Sequence, residues 1–433
     1  MKKYFLLLFA LFVNIFIISA QNKTELQFDD FISDCSNLEW PYPDSSVTIK
    51  IMQPLDHNNP DGPKYPQYIH IKHKDFSKPV VLHDRGYYAR PNRTHELTKI
   101  LQCNQVEIEH RFFSPSAPEE PIDWSKLDIE QAAEDQHRIA IALKKIYGGK
   151  WINTGGSKGG QAALFHEYFF PDDNDVTVAY VAPINRDMED KRIPEYLADS
   201  ISTKENRLRM LTYQRELLKR RDEIIPMLRR EIEDNKYELV ADINTCFEHS
   251  VFEMSFGWWQ YKGEDIEEIP LPGATAEELY KPFKGNIGFF TKGAKKRVAP
   301  FNYQAYTEIG FYDYDTRPFK DLLIAVKNDF ASNKPYFYDP YWSDPFDAAQ
   351  IREVHDWLTN EAKEVIYIYG ENDPWTATGI WPSGKTNSFR MTLKDGNHGA
   401  SILKFKGEER EKILKALEKW LDLKIDREFI ETL

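Results

Sequence analysis

Trp151-Ile152-Asn153-Thr154-Gly155-Gly156-Ser157-Lys158-Gly159-Gly160 is the stretch on which the fold of this chain turns. Its first three residues read as a strand ending at Asn153, and a helix is predicted from Gly160 through Phe169. Between them, Gly155-Gly156-Ser157-Lys158-Gly159 spells G-x-S-x-G. A serine exposed on a sharp strand-to-helix turn needs glycine on either side, because only glycine tolerates such close neighbouring backbone. The five-residue pattern alone is weak, and its placement between strand and helix gives it weight. A phosphate loop is the competing use of such a turn, but the Walker pattern needs Gly-Lys followed at once by Ser or Thr, and here Lys158 follows the serine. A strand-like run at 176–181 completes a βαβ unit.

Working outward, strand-like runs occur at 47–51, 68–73, 80–82 and 106–109, separated by Asp, Asn, Pro and Gly clusters. Residues 125–146 are helical in pattern, with Ile129, Ala133, Ile139, Leu143 and Ile146 on roughly one face. Residues 184–345 lack the alternation: a long charged helical stretch at 207–233 gives way to an aromatic, Pro-broken segment. The α/β pattern resumes at 364–369 and 389–393 and closes with a helix at 408–421. The expected class is α/β, an α/β-hydrolase fold with a mostly helical cap insertion. Its expected parts are a leader at 1–20, a first hydrolase segment at 21–183, the cap at 184–345 and a second hydrolase segment at 346–433.

A serine hydroxyl needs a general base oriented by a third group, and in this fold the chain order is serine, acid, histidine. Only His166, His249, His355 and His398 follow Ser157, and His166 lies on the elbow helix. His398, in Asp395-Gly396-Asn397-His398-Gly399 between the last strand and the closing helix, stands where the fold delivers its base. Asp373 leaves the preceding strand in Tyr369-Gly370-Glu371-Asn372-Asp373-Pro374-Trp375 and is the favoured acid, with Glu371 its competitor. An oxyanion hole needs two backbone N–H groups, one from the residue after the nucleophile and one from an early loop. Lys158 supplies the first. Tyr87, after Gly86 in His83-Asp84-Arg85-Gly86-Tyr87-Tyr88, is the candidate for the second, the alternative being a plain surface turn.

Met1-Lys2-Lys3, an apolar run at 4–18 and Ser19-Ala20-Gln21 form a secretory leader layout, too short in its apolar part to span a membrane of about 20 residues. The chain is expected to be exported, periplasmic or extracellular, with an uncleaved anchor as the alternative. The net charge of -13 argues against nucleic acid, which needs clustered Lys and Arg. No membrane span is expected in the mature chain. Cys35, Cys103 and Cys246 permit at most one internal disulfide and lie too far apart in sequence for a zinc cluster. No metal and no cofactor are expected.

The chain resembles the secreted prolyl tri- and tetrapeptidyl aminopeptidases, bacterial serine peptidases related to prolyl carboxypeptidase. The resemblance covers most of the mature chain. It rests on Gln53-Pro54-Leu55-Asp56-His57, Glu109-His110-Arg111-Phe112-Phe113, residues 154–160, Phe170-Pro171-Asp172-Asp173, Val178-Ala179-Tyr180-Val181-Ala182-Pro183 and residues 370–375. It implies cleavage after proline, release of short peptides from a free N-terminus, a helical cap that limits access, and Ser157, Asp373 and His398 as the triad. The expected partners are peptides with proline near the N-terminus. Their recognition calls for an aromatic slot for the proline ring and a carboxylate for the α-ammonium group. Phe252-Glu253-Met254-Ser255-Phe256-Gly257-Trp258-Trp259-Gln260-Tyr261 offers Glu253, Trp258 and Trp259, and Trp375 is a fourth candidate. Aromatic clusters more often form core, and Glu253 could instead pair with a cap arginine. Two rival functions are an esterase or lipase of the same fold, which the charged helices at 207–233 oppose, and a non-catalytic binding protein, which the complete triad opposes.

Overall fold

The structure, a computed structural model, describes residues 26–27, 46–339, 342 and 344–433; the leader at 1–20 and Cys35 lie outside the described residues. Among them, nine strands form one sheet: β1 (Leu26–Gln27), β2 (Val47–Pro54), β3 (Lys64–Lys72), β4 (Val80–Asp84), β5 (Asn104–Ile108), β6 (Trp151–Gly156), β7 (Val176–Tyr180), β10 (Val365–Gly370) and β11 (Phe389–Leu393). A separate hairpin, β8 (Asp313–Asp315) with β9 (Phe330–Ser332), lies in the insertion. The sheet order is β1-β2-β3-β5-β4-β6-β7-β10-β11. Only β3 runs antiparallel to its neighbours; every other pair is parallel. This is the α/β-hydrolase arrangement, and it explains the sequence: parallel strands covered on both faces read as unbroken apolar runs, as in β4, β7 and β10, where every residue is buried.

Helices α1 (Glu96–Leu101), α2 (Ile129–Leu143), α3 (Lys158–Phe169), α7 (Ala348–Asn360) and α8 (Gly407–Leu421) cover the sheet. On one face, Leu97 and Ile100 of α1 and Ile413, Leu414 and Leu417 of α8 pack on Val81, Ile152, Val178 and Ile366. On the other, Ile139 and Leu143 of α2 meet Val80 and Leu82, while Leu164 and Phe165 of α3 join Ala179 and Tyr367. Asp128 caps α2 by accepting from the Gln131 N–H at 2.6 Å. Two of the family-like motifs converge on Asp135 of this helix: His57 Nε2 lies 2.7 Å from Oδ1, and Arg111 Nε donates to Oδ2 at 2.8 Å. Arg111 and Asp135 are both fully buried, so removing either would strand a charge in the core.

Between β7 and β10 the chain is mostly helical. The charged stretch read as one helix is two, α4 (Lys204–Lys219) and α5 (Arg221–Asn235), because Arg220 leaves helical geometry at φ -98°, ψ 27°. Each buries its own stripe, Met210, Tyr213 and Leu217 on α4 and Ile224 and Leu228 on α5. Helix α6 (Ile243–Tyr261) packs against α4, is tied to α5 by the Arg221–Glu248 ion pair, and is buried on nearly every side. Its Phe247 and Val251 share one continuous core with Leu164, Ala179 and Tyr367 of the hydrolase body. Cys103 and Cys246 are free buried thiols. Among the described residues, no helix is long and apolar enough to cross a membrane.

The elbow sits where β4, β6 and α3 meet with no room for side chains. A Cβ on Gly155 would stand 2.1 Å from the Gly159 carbonyl oxygen, and one on Gly86 would stand 2.4 Å from the Gly159 nitrogen. A Cβ on Gly156 would meet nothing within 4 Å. Gly155→Ala is therefore expected to cost at least about 1–3 kcal/mol of stability, while Gly156→Ala stays within about 0.5 kcal/mol of the parent. Thermal unfolding of the two variants checks this, and equal losses would refute the packing argument.

Candidate active site

Every candidate for the chemistry leaves the C-terminal end of a strand, the edge at which open α/β sheets bind ligands. Ser157 follows β6 with φ 57° and ψ -125°, a strained conformation for a residue other than glycine. Its N–H donates to the Tyr180 carbonyl at 2.8 Å, which fixes the turn against β7. Asp373 follows β10 and is fully buried; Oδ2 lies 2.7 Å from His398 Nδ1, and Oδ1 accepts from the Trp375 N–H at 3.2 Å. With Nδ1 engaged, Nε2 is the nitrogen left to the serine. Ser157 and His398 line one cavity of about 540 Å³. Glu371, the competing acid, is exposed and accepts from the Asp395 N–H at 3.0 Å, an ordinary surface-turn contact.

The two oxyanion candidates line the same cavity. Lys158 is the first residue of α3, where backbone N–H groups lack intrahelical partners. The turn carrying Tyr87 is pinned at both ends: the Gly86 N–H donates to Asp84 Oδ1 at 2.6 Å, and the Tyr87 carbonyl accepts from the His110 N–H at 3.2 Å. Asp84 is held in turn by His110 Nδ1 at 3.1 Å. The Lys158 side chain is buried, its ammonium 5.9 Å from the Tyr87 ring centroid and 5.8 Å from that of Phe113. Burial brings its pKa down to about 7, against the pull of Asp84 and Glu308.

Of the substrate-binding candidates, Glu253 and Trp375 line this cavity and Trp258 and Trp259 do not. The correction follows from helix geometry. Residues 253, 256 and 260 share one face of α6 and reach the cavity; Trp258 turns into an adjoining cleft, and Trp259 is buried on the far side, where it borders a separate cavity. Glu253 is nearly buried, and Oε2 accepts from the hydroxyls of Tyr312 at 2.9 Å and Tyr314 at 2.6 Å. Among the described residues, no cap arginine pairs with it. Desolvation raises its pKa to about 7, and the two hydroxyls only partly offset the rise. Phe256 stacks on Tyr312 with centroids 3.8 Å apart and stands edge-on to Trp375 at 5.2 Å, which builds an aromatic wall beside the acid. Tyr312 and Tyr314 were not singled out by the sequence; the alternation in Tyr312-Asp313-Tyr314 was the available signal, since residues two apart on a strand share a face.

A serine on a strained elbow, a carboxylate-bound histidine and a roofed cavity between them define a serine hydrolase of the α/β-hydrolase class. Within it, the chain belongs to the PS-10 peptidase S37 family, whose model matches residues 37–424. It is 35% identical over 386 residues to the prolyl tri/tetrapeptidyl aminopeptidase of Streptomyces mobaraensis, covering 86% of this chain and 80% of that one. Among solved structures it is similar to proline iminopeptidase of Mycobacterium smegmatis, with 12% identity, a TM-score of 0.42 and coverage of 86% of this chain and 98% of that one. It is also similar to an α/β-fold hydrolase of Bacillus anthracis str. Sterne, with 14% identity, a TM-score of 0.34 and coverage of 87% and 99%.

Ser157→Ala is expected to fold and to lose turnover by about 10⁴-fold or more, and Asp373→Asn to lose on the order of 10⁴-fold. Glu371→Gln should stay near the parent rate. Steady-state kinetics on the three purified variants decide the assignment, and a crippled Glu371→Gln with an active Asp373→Asn would reverse it.

Proposed function

We propose that this peptidase cleaves after proline and releases short peptides, of three or four residues, from substrates with a free N-terminus, outside the cytoplasm. Ser157 Oγ attacks the prolyl carbonyl as His398 Nε2 takes its proton. Asp373 orients the imidazole and stabilises the imidazolium that forms. Lys158 and Tyr87 N–H groups receive the oxyanion. His398 then returns the proton to the leaving amine, and water releases the acyl group by the same route reversed.

One observation carries the choice of aminopeptidase: Glu253, an acid with hydroxyl partners and no cationic partner among the described residues, faces the cavity that holds the nucleophile. An α-ammonium group completes it, and the flat aromatic wall of Phe256, Tyr312 and Trp375 suits a proline ring. An esterase under a movable apolar lid fits less well, because the cap and the sheet share one core. Export rests on the leader layout of the first 20 residues.

The test compares a peptide with a free N-terminus and its N-acetylated twin, each with proline before the scissile bond. The parent enzyme should strongly prefer the free peptide, by a factor on the order of 10² or more, as expected when a buried acid is left unpaired. Glu253→Gln should lose most of that preference. Equal cleavage of both peptides by the parent enzyme would sink the aminopeptidase reading; a preference that survives in the variant would remove Glu253 from the role.

The pH dependence has a definite sign. Glu253 is neutral below about 7 and ionised above it, while a free α-ammonium group loses its proton above ~8. The ratio of free to acetylated kcat/KM cancels groups common to both substrates, His398 included. That ratio should rise through about 7 and fall above ~8, and the rising limb should vanish in Glu253→Gln. A ratio flat across this range in the parent enzyme contradicts the assignment.

A further inference from the structure

The catalytic cavity holds a second charged group that the hydrolytic mechanism does not use. Arg85 follows β4 directly and lines the cavity together with Ser157, His83 and His398. It is half-buried, and its Nε is shut off from solvent without a hydrogen-bond partner. Among the described residues, no hydrogen bond or ion pair reaches the guanidinium at all. Glu107 and Asp84 attract its charge without hydrogen-bonding to it, and each has partners of its own: Glu107 accepts from the Arg90 N–H, and Asp84 from the Gly86 N–H and His110 Nδ1. Burial lowers the Arg85 pKa, yet a guanidinium stays charged at any working pH. A half-buried cation whose Nε is cut off from solvent without an acceptor is an arrangement that an arriving acceptor would improve.

The strand fixes which side of the reaction Arg85 serves. Side chains alternate along β4, so Val81, His83 and Arg85 share one face while Leu82 and Asp84 take the other. Val81 packs with α1 and α8, and the His83 ring stands 4.7 Å from His95 at the start of α1. The loop carrying His398 leads to the same face. It is tied there by Glu96 of α1, which accepts from the Ile402 N–H at 2.8 Å and the Leu403 N–H at 3.3 Å. The base gives its proton to the leaving nitrogen, so the leaving group departs on the face that Arg85 occupies. The Lys158 side chain, which also lines the cavity, is on the opposite face with Asp84 and the rings of Tyr87 and Phe113.

We propose that Arg85 is a specificity-determining residue that binds the free α-carboxylate of a short leaving group, so that the enzyme favours small peptides ending one or two residues beyond the scissile bond. The planar fork matches a carboxylate in bidentate geometry, which a lysine could not reproduce. The cavity then has an acid for one terminus of the substrate and a cation for the other. This proposal rests on the peptidase reading above but not on the role of Glu253.

The test uses two peptides with the same free N-terminus and proline before the scissile bond, followed by a single residue ending in a carboxylate or in an amide. The readout is the ratio of their kcat/KM values, with products identified by mass so that only the prolyl bond counts. The parent enzyme should favour the acid by about 10- to 100-fold. In Arg85→Gln the ratio should fall to near one, chiefly through KM on the acid, and Arg85→Lys should keep only part of it. A parent ratio near one, or a ratio unchanged in Arg85→Gln, overturns the proposal; so does a variant that slows acid and amide equally, since that marks Arg85 as a support for the oxyanion turn. An enzyme that also cleaves N-acetylated peptides freely would fail the aminopeptidase reading while leaving this ratio intact, so the two failures are distinguishable.

Discussion

The structure hangs on one steric constraint, the contact of β4, β6 and α3 at positions where no Cβ fits. Gly155 against Gly159, and Gly86 against Gly159, bring three backbones within van der Waals contact. That approach forces the chain to reverse within a single residue, and Ser157 takes the cost as a positive φ of 57°. Such strain is worth about 1–3 kcal/mol and persists only where the surroundings determine it. Here they do, through the Ser157 N–H bond to Tyr180 and the close-packed strands on both sides. The same contact that raises the serine also sets the oxyanion turn beside it, because Gly86 is the residue that touches α3. The proposed nucleophile and the proposed oxyanion donors are thus placed by a single packing event.

The base is placed by a different device, which links it to the cap. The last carbonyls of a helix have no intrahelical donors. In α6, the Gln260 carbonyl accepts from the His398 N–H and the Tyr261 carbonyl from Asn397 Nδ2, each at 3.0 Å. The loop that carries the histidine is therefore the C-terminal cap of the helix that carries Glu253. The distance from acid to base is set by two turns of helix, not by a hinge. With the cap and sheet sharing core, the cavity roof is a fixed part of the molecule and the subsites are held in register with the chemistry.

The legible parts of the sequence were those whose physics is local. The elbow, the serine–acid–histidine order and the strands at 176–181, 364–369 and 389–393 depend on short patterns and on chain order, and the strand at 389–393 coincides with β11. The face of α6 was not legible, because polar and apolar residues are mixed around a helix that is buried on nearly every side, and the tryptophans fitted an aromatic slot for a proline ring by residue type alone. The break at Arg220 escaped notice since α4 and α5 are both charged and no glycine or proline stands between them. Tyr312 and Tyr314 meet Glu253 across about 60 residues of intervening chain; that convergence is tertiary. Nothing in the sequence marks Arg85 out within the loop after β4, because what distinguishes it is the hydrogen-bond partner it lacks among the described residues.

Glu253 shows what the cap contributes beyond shape. Raising its pKa from 4.5 to about 7 means that ionising it in place costs about 3 kcal/mol more than in water. A cap arginine would have removed that cost permanently and closed the site to any other cation. Two tyrosine hydroxyls do something different: they orient the carboxylate and soften the penalty, yet leave its charge uncompensated. Tyr314 is itself held by Asn333 Nδ2 at 3.0 Å, so the donors stay in position whether or not a ligand is bound. In the proposed role the remaining penalty is relieved by an incoming cation, and relief that depends on the ligand would turn a buried acid from a structural liability into a means of discrimination.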